Sequence, residues 1–258
     1  DHAGSDSIPE LDERLMATPA VAMERCHEVT MNMGFTSVRA TRNAMHELKN
    51  HDVKRAESIR EDERTADRYE DELGTYLVKL SHKDISEADS HSLSIMLHCI
   101  GDFERISDHA VNIMESAQEL YEKGLKFSEN AKKDLEVLGQ AVEDIVNTAY
   151  EVFDKQDMKL AEKIEPLEEV IDELSKEVKR RHVQRLRNGE CTIEMGFILS
   201  DITTCLERVA DHCSNVAASL LQVKTDSFDT HEYLNRVKQE SNVEFQAMYS
   251  MYKEKYSL

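Results

Sequence analysis

Two stretches of the chain repeat each other: E-R-I-S-D-H-A-V-N-I at residues 104–113 and E-R-V-A-D-H-C-S-N-V at residues 207–216. The apolar residues around both stretches recur every three or four positions, which is the spacing of a helix that buries one face. Apolar residues of the first series have counterparts 103 residues further on: Met96, Cys99, Phe103, Ile106, Ala110, Ile113 and Ala117 correspond to Leu199, Ile202, Leu206, Val209, Cys213, Val216 and Leu220. A repeat of this length predicts a duplicated helical unit.

The rest of the chain also has helical periodicity, interrupted at a few breaker positions. The pattern predicts six long helices and a weaker seventh, at residues 19–49, 53–81, 87–123, 129–154, 158–187, 192–223 and 231–254. A helix of about 30 residues is about 45 Å long, and short loops make such neighbours antiparallel. We therefore predict an all-α fold of two tandem antiparallel three-helix bundles, at 19–123 and 128–223, followed by a C-terminal helical tail at 224–258.

Composition limits the class of protein. The chain has 52 acidic against 32 basic residues, a formal net charge of −20 at pH 7. A field of this sign repels nucleic acids and anionic lipids, so we expect no nucleic-acid partner. No apolar run approaches the ~18–20 residues that cross a bilayer, so we expect no membrane insertion. Five scattered cysteines without a C-x-x-C pair favour reduced thiols in a cytosolic protein.

A Glu-x-x-x-Asp pair recurs in four of the predicted helices. The pairs are Glu63/Asp67, Glu104/Asp108, Glu168/Asp172 and Glu207/Asp211. Residues four apart lie on the same helix face, so each pair stacks two carboxylates. If neighbouring helices turn these faces together, the carboxylates of each bundle must take up protons or bind a cation. We interpret all eight as candidate metal ligands, and all-oxygen ligation is typical of Mg²⁺, Ca²⁺, Mn²⁺ or iron.

The polar residues that follow these pairs allow two interpretations. His109 and His212 either contact the ligands or lie at the surface. Asn112 and Asn215 either donate to the neighbouring aspartates or bridge between helices. The sequence does not decide between these roles.

Two further features of the sequence have a purely structural interpretation. Glu70 and Asp71 fit an ordinary solvated helix face. Pro166 lies inside the predicted fifth helix, where it either kinks the helix or marks a late helix start.

The repeated signature at 104–113 and 207–216 resembles the paired signature of PhoU domains. The resemblance implies two three-helix bundles, multinuclear iron or zinc clusters held by E(D)-x-x-x-D motifs, and a role in controlling phosphate uptake. The segment E-E-V-I-D-E-L at 168–174 is closer to the family pattern than the second helix is. In that helix, Ala66 and Tyr69 stand where aliphatic residues are usual.

Three further segments resemble the cytoplasmic carboxy-terminal half of bacterial sodium/phosphate cotransporter-family proteins: L-D-E-R-L-M-A-T-P-A-V-A (11–22), R-R-H-V-Q-R-L-R-N-G-E-C (180–191) and F-D-T-H-E-Y-L (228–234). By this resemblance, residues 1–18 are a linker from a missing membrane domain. The partner would be the membrane domain of a phosphate transporter, in the same full-length chain or a separate one. The module would then lie on the cytoplasmic side of the cell membrane, and a homodimer is a further expectation.

We predict a metal-binding regulatory module rather than an enzyme, since no nucleophile–base set or Gly-rich phosphate loop occurs. One alternative is a metal-free helical adaptor with solvated acidic pairs. Another is a ferritin-like di-metal oxidase, which needs a Glu-x-x-His on each of two helices. The chain has one such spacing, Glu24 to His27, without a counterpart in the second repeat.

Overall fold

The computed structural model describes residues 8–224 and 243–258, except for the side chain of Lys224. Every regular element in these ranges is helical, so the predicted all-α class is confirmed. A short 3-10 helix, η1, precedes eight α-helices: η1 (Glu13–Ala17), α1 (Pro19–Lys49), α2 (Val53–Ser81), α3 (Glu87–Glu122), α4 (Glu129–Lys155), α5 (Met158–Ala161), α6 (Ile164–Arg187), α7 (Ile193–Lys224) and α8 (Val243–Lys255).

Local sequence signals fix where these helices begin and end. The side chains of Asp52, Ser86 and Ser128 accept hydrogen bonds from the first backbone N–H groups of α2, α3 and α4, which have no partner within the helix. Gly124 and Gly189 follow α3 and α6 with φ angles of 65° and 72°. Glycine adopts this left-handed conformation without strain, so these positions end the helices.

The first bundle consists of α1, α2 and α3, which all contact one another. The helices α1 and α3 cross closely where the Ser37 Oγ atom donates to the carbonyl oxygen of Phe103 at 2.6 Å. Residues 8–17 pack against α2: the buried Ile8 donates its N–H to the Glu72 carboxylate at 2.9 Å, and the Tyr76 hydroxyl donates to the Asp12 carbonyl oxygen at 2.8 Å. Residues 1–7 lie outside the described ranges, and the linker role of 1–18 stays a prediction.

The second bundle consists of α4, α6 and α7, with α5 and α8 packed against it. The helices α3 and α7, which carry the repeated signature, pack along each other and join the two bundles. The Phe103 ring meets the edge of Phe153 of α4 with centroids 5.6 Å apart. The buried apolar residues of both bundles form one contiguous core.

The predicted fifth helix, 158–187, is two helices. After α5 ends at Ala161, α6 begins at Ile164, so Pro166 lies in its first turn. The first four N–H groups of a helix have no partner within the helix, and the missing N–H of Pro166 therefore costs nothing there. The interpretation of Pro166 as marking a late helix start is confirmed.

The tail is described only from Val243 onward, so the predicted positions 231–242 and the segment 228–234 lie outside the described residues. The helix α8 docks on α6, where the Tyr249 hydroxyl donates to the Glu173 carboxylate at 2.6 Å. None of the described helices combines the length and the hydropathy that a membrane span requires.

Candidate metal centre

The helices α2 and α3 bring the four predicted carboxylates of the first bundle together. Glu63 and Asp67 of α2 interact electrostatically with Glu104 and Asp108 of α3. Glu63 and Glu104 are half-buried, whereas Asp67 and Asp108 are exposed. A fifth carboxylate, that of Glu70, lies in the same group: oxygen atoms of Asp67, Glu70 and Glu104 all lie within 4.8 Å of one another. We call these five residues the first-bundle cluster.

Burial and mutual repulsion raise several pKa values in this cluster. Partial burial, followed by the charges of Glu70 and Asp108, raises the pKa of Glu104 to about 7. The pKa of Glu63 is raised by partial burial and by Asp108, and that of Glu70 by partial burial and by Asp67. Ionised carboxylates this close repel one another, so near neutral pH the cluster favours a bound proton or a bound cation.

Glu70 corrects the interpretation from sequence. It is half-buried within the cluster rather than on a solvated face, whereas Asp71 is exposed as expected. If residue 101 of α3 carried a Cβ atom, that atom would lie 3.6 Å from the Glu70 Oε1 atom. The Glu70 carboxylate therefore lies against Gly101. Glu70 follows Asp67 by three residues and therefore shares its helix face. This three-residue spacing is the sequence signal that indicates Glu70 as a further member of the cluster.

Two of the four corresponding carboxylates of the second bundle, those of Asp172 and Glu207, lie beside lysine side chains. The Lys176 Nζ atom donates to Asp172 Oδ2 at 2.8 Å, and the Lys179 Nζ atom donates to Glu207 Oε1 at 3.5 Å. Asp211 is exposed. Across residues 8–224 and 243–258, the triad of the first-bundle cluster is the one set of three acidic, histidine or cysteine ligand atoms found this close together.

The two histidines lie where α3 meets α7. The rings of His109 and His212 stack with centroids 5.5 Å apart, and His212 Nδ1 is 3.1 Å from Asp102 Oδ1. Asn215 donates its Nδ2 to the same oxygen at 3.3 Å, so it bridges between helices. His109 is buried, and neither histidine is a surface residue. Asp102 was missed from sequence because its repeat counterpart, Cys205, is not a carboxylate.

The residues of the oxidase alternative are placed elsewhere. Glu24 is exposed on α1, and the His27 ring stacks on Phe153 with Nε2 3.7 Å from Asp154. The His27 side chain contacts α4, whereas the cluster lies between α2 and α3. Glu24 and His27 do not supply the inward Glu-x-x-His that the oxidase site needs.

The donor atoms of the cluster fit a hard cation. The triad of Asp67, Glu70 and Glu104 offers carboxylate oxygens alone. Such donors suit Mg²⁺, Mn²⁺, Ca²⁺ and iron, whereas structural zinc sites mostly use sulfur and nitrogen. The residues of the first bundle therefore fit a metal ion, with zinc the poorest match.

Comparison with known proteins identifies the family. The family model described as "PhoU domain" matches twice, over residues 30–117 and 135–220. These matches cover both members of the repeat and most of each three-helix bundle. The chain belongs to the PhoU domain family.

Individual relatives are similar in sequence to parts of this chain. One is the "Phosphate-specific transport system accessory protein PhoU homolog 1" of Thermotoga maritima, 32% identical over 137 residues, which are 53% of this chain and 58% of that protein. A homolog of the same system from Pseudomonas aeruginosa is 24% identical over 211 residues, 81% of this chain and 86% of that protein. A third, from Deinococcus radiodurans, is matched over 59% of its length. The chain thus spans less than two thirds of the first and third of these relatives.

Two solved structures have the same fold. The crystal structure of PhoU from Pseudomonas aeruginosa superposes with a TM-score of 0.73 at 22% identity, covering 79% of this chain and 97% of that one. The phosphate transport system regulatory protein PhoU from Streptococcus pneumoniae gives 0.72 at 18% identity, covering 81% and 98%. At this identity the two structures establish the fold alone.

Proposed function

We propose that this chain is a metal-binding regulatory module of a phosphate transport system. The observation that carries the proposal is the triad of Asp67, Glu70 and Glu104, whose oxygen atoms converge between α2 and α3. Membership of the PhoU family supports it, as do the names of relatives that are accessory proteins of phosphate-specific transport systems. No residue of the chain is assigned a catalytic role.

The cation would be held by the triad, and Glu63 and Asp108 would extend the donor set for a second ion. A bound metal supplies positive charge that offsets the repulsion within the cluster. Iron follows from the resemblance and from carboxylate ligation, and Mn²⁺, Mg²⁺ or Ca²⁺ from ligation alone. Since the donors come from two helices, a cation binds the folded chain and stabilises the pairing of α2 with α3.

The partner we propose is the membrane domain of a phosphate transporter, carried by the same full-length chain or by a separate one, on the cytoplasmic side of the membrane. The resemblance of residues 11–22 and 180–191 to sodium/phosphate cotransporter-family proteins supports a sodium-dependent transporter. The module would bias uptake by docking as a rigid body, since its two bundles share one core.

Elemental analysis tests the metal site. The protein is loaded with Fe²⁺, Mn²⁺ or Zn²⁺ in separate preparations and dialysed, and the bound metal is counted. We expect retention in the native chain, loss in the double variant Asp67→Asn with Glu104→Gln, and retention in the control Glu115→Gln, which removes an exposed carboxylate of α3. Equal metal content in the native chain and the double variant would overturn the proposed site.

Phosphate uptake tests the regulatory role. Cells that express the transporter are compared with and without the full chain, and with the double variant. We expect the chain to change uptake and the double variant to lose that effect. If the double variant regulates uptake normally and neither protein holds metal, the metal-free adaptor is the correct alternative. If neither changes uptake, the regulatory proposal is wrong.

A further inference from the structure

We infer that two lysine side chains occupy the place of a metal ion in the second bundle, so that this chain has one cation site where the family pattern implies two. The inference deepens the proposed function, because it names the bundle that holds the metal. It rests on the contacts between α6 and α7 and on a residue-by-residue comparison of α6 with α2.

The lysines reach carboxylates on both helices. Lys176 donates to Asp172 on its own helix at 2.8 Å, and Lys179 donates across to Glu207 of α7 at 3.5 Å. Lys179 also donates to the Thr204 hydroxyl at 3.3 Å. The Lys176 ammonium interacts electrostatically with Glu207 as well, so the two positive charges act on both halves of the predicted site.

The repeat shows that these lysines replace neutral or acidic positions. Residues of α2 correspond to residues of α6 that are 105 positions later, as Glu63 does to Glu168. At this offset Lys176 corresponds to Asp71, and Lys179 corresponds to Gly74. An acidic and an uncharged position of the first bundle are thus both basic in the second.

The third ligand of the triad is also absent from the second bundle. The counterpart of Glu70 at the same offset is Ser175. Ser175 is fully buried, and its hydroxyl has no hydrogen-bond partner among the described residues. The second bundle therefore lacks the side chain that completes the triad in the first.

The added lysines and the missing third ligand both disfavour a metal ion in the second bundle. An ammonium group at hydrogen-bond distance supplies the positive charge that neighbouring carboxylates require. A divalent cation would have to displace Lys176 from Asp172 and Lys179 from Glu207, and both ammonium groups would repel it. The residues of the second bundle therefore do not fit a tightly bound metal ion.

Metal titration of the full chain tests the inference, with Mn²⁺ as the probe and binding counted by calorimetry and elemental analysis. We compare the native chain with Lys176→Gln/Lys179→Gln, with Asp172→Asn/Glu207→Gln and with Asp67→Asn/Glu104→Gln. The matched control is Lys132→Gln/Lys155→Gln, which removes two exposed lysines of α4. Circular dichroism verifies that each variant is folded.

We expect Asp172→Asn/Glu207→Gln to bind as much Mn²⁺ as the native chain. Removing Lys176 and Lys179 should add a second class of binding or strengthen the weakest one at least tenfold, and the control should add none. Loss of native Mn²⁺ with Asp172→Asn/Glu207→Gln would overturn the inference, as would no gain on removing the lysines. If the native chain binds no Mn²⁺ and the lysine variant does, the lysines do occupy the second-bundle site, whereas the proposed first-bundle site and the count of one cation site fail.

Discussion

The two bundles have matching apolar seams, which are the two series of apolar residues in α3 and α7 that repeat 103 positions apart. Their charged faces differ. Phe103 and Leu206 occupy equivalent buried positions in α3 and α7, and each lies in a bundle of three long helices that all contact one another. On the carboxylate faces, the first bundle brings ligand atoms of three acidic residues within 4.8 Å of one another, whereas the second pairs Asp172 and Glu207 with lysines. A duplicated core requires the same apolar spacing in both copies, whereas exposed charges can differ without loss of the fold.

The largest effects on the free energy of unfolding are expected in the two seams, where substitutions at equivalent positions should cause similar losses. Phe103→Ala and Leu206→Ala each remove a side chain that is at most 2% exposed, so each should lower the free energy of unfolding by about 3–4 kcal/mol. Urea unfolding of the metal-free protein measures both losses. The control Val53→Ala, at a 74% exposed position, should change stability by less than about 0.5 kcal/mol. A loss of less than about 1 kcal/mol for one seam variant would show that the two seams are not equivalent.

The next prediction concerns the pH dependence of the first-bundle cluster. The pKa of Glu104 is about 7 in the folded chain against an ordinary value of 4.5, so the folded state binds more protons between these values. Without metal, the contribution of Glu104 to the free energy of unfolding should therefore fall as pH rises from 4.5 to 7. Because Glu104 is only half-buried, solvent screening reduces the effect, and Glu104→Gln should stabilise the metal-free chain by about 1 kcal/mol at pH 8.

Urea unfolding with a chelator at pH 8 and pH 4 checks this difference, which should vanish at pH 4. Glu207→Gln is the matched variant in the second bundle. It removes the acceptor of Lys179, so it should give no such gain at pH 8. If Glu104→Gln and Glu207→Gln stabilised the chain equally at pH 8, the carboxylates of the two bundles would not differ in their electrostatic environment.

A charge reversal in the first bundle should make it resemble the second. Asp71→Lys places a lysine at the counterpart of Lys176, beside Glu70, and should weaken Mn²⁺ binding about fivefold, or by about 1 kcal/mol. Glu57→Lys makes the same charge change on α2 10 residues before Asp67, about 15 Å along the helix from the triad, where salt screens the interaction. Calorimetric titration measures both. Equal effects would mean that overall charge, not the local lysine, controls affinity.

The smallest effect is expected where α8 covers the second bundle. Tyr249→Phe removes the hydrogen bond to Glu173 and should weaken the docking of α8 by about 0.5–1 kcal/mol. Faster amide exchange confined to α8 would record this change. The control Tyr121→Phe, at a 67% exposed position of α3, should leave exchange in α8 unchanged. Unchanged exchange in Tyr249→Phe would show that other contacts hold α8.

The carboxylate site was only partly readable from sequence. Helical spacing placed Glu63, Asp67, Glu104 and Asp108 on common faces, and the structure brings these four together. The pairing of Lys176 with Asp172 was also readable, because residues four apart meet on a helix. The metal itself stays a proposal, and it is proposed for the first bundle alone.

By itself, the sequence determined the helices, their duplication and the apolar seams, because periodicity and capping residues act within a few positions of the chain. The tertiary structure decided that Glu70 joins the first-bundle cluster, that Lys179 reaches Glu207, and that His212 meets Asp102 of the other bundle. These contacts depend on the rotation and separation of packed helices. No spacing within one helix encodes that geometry.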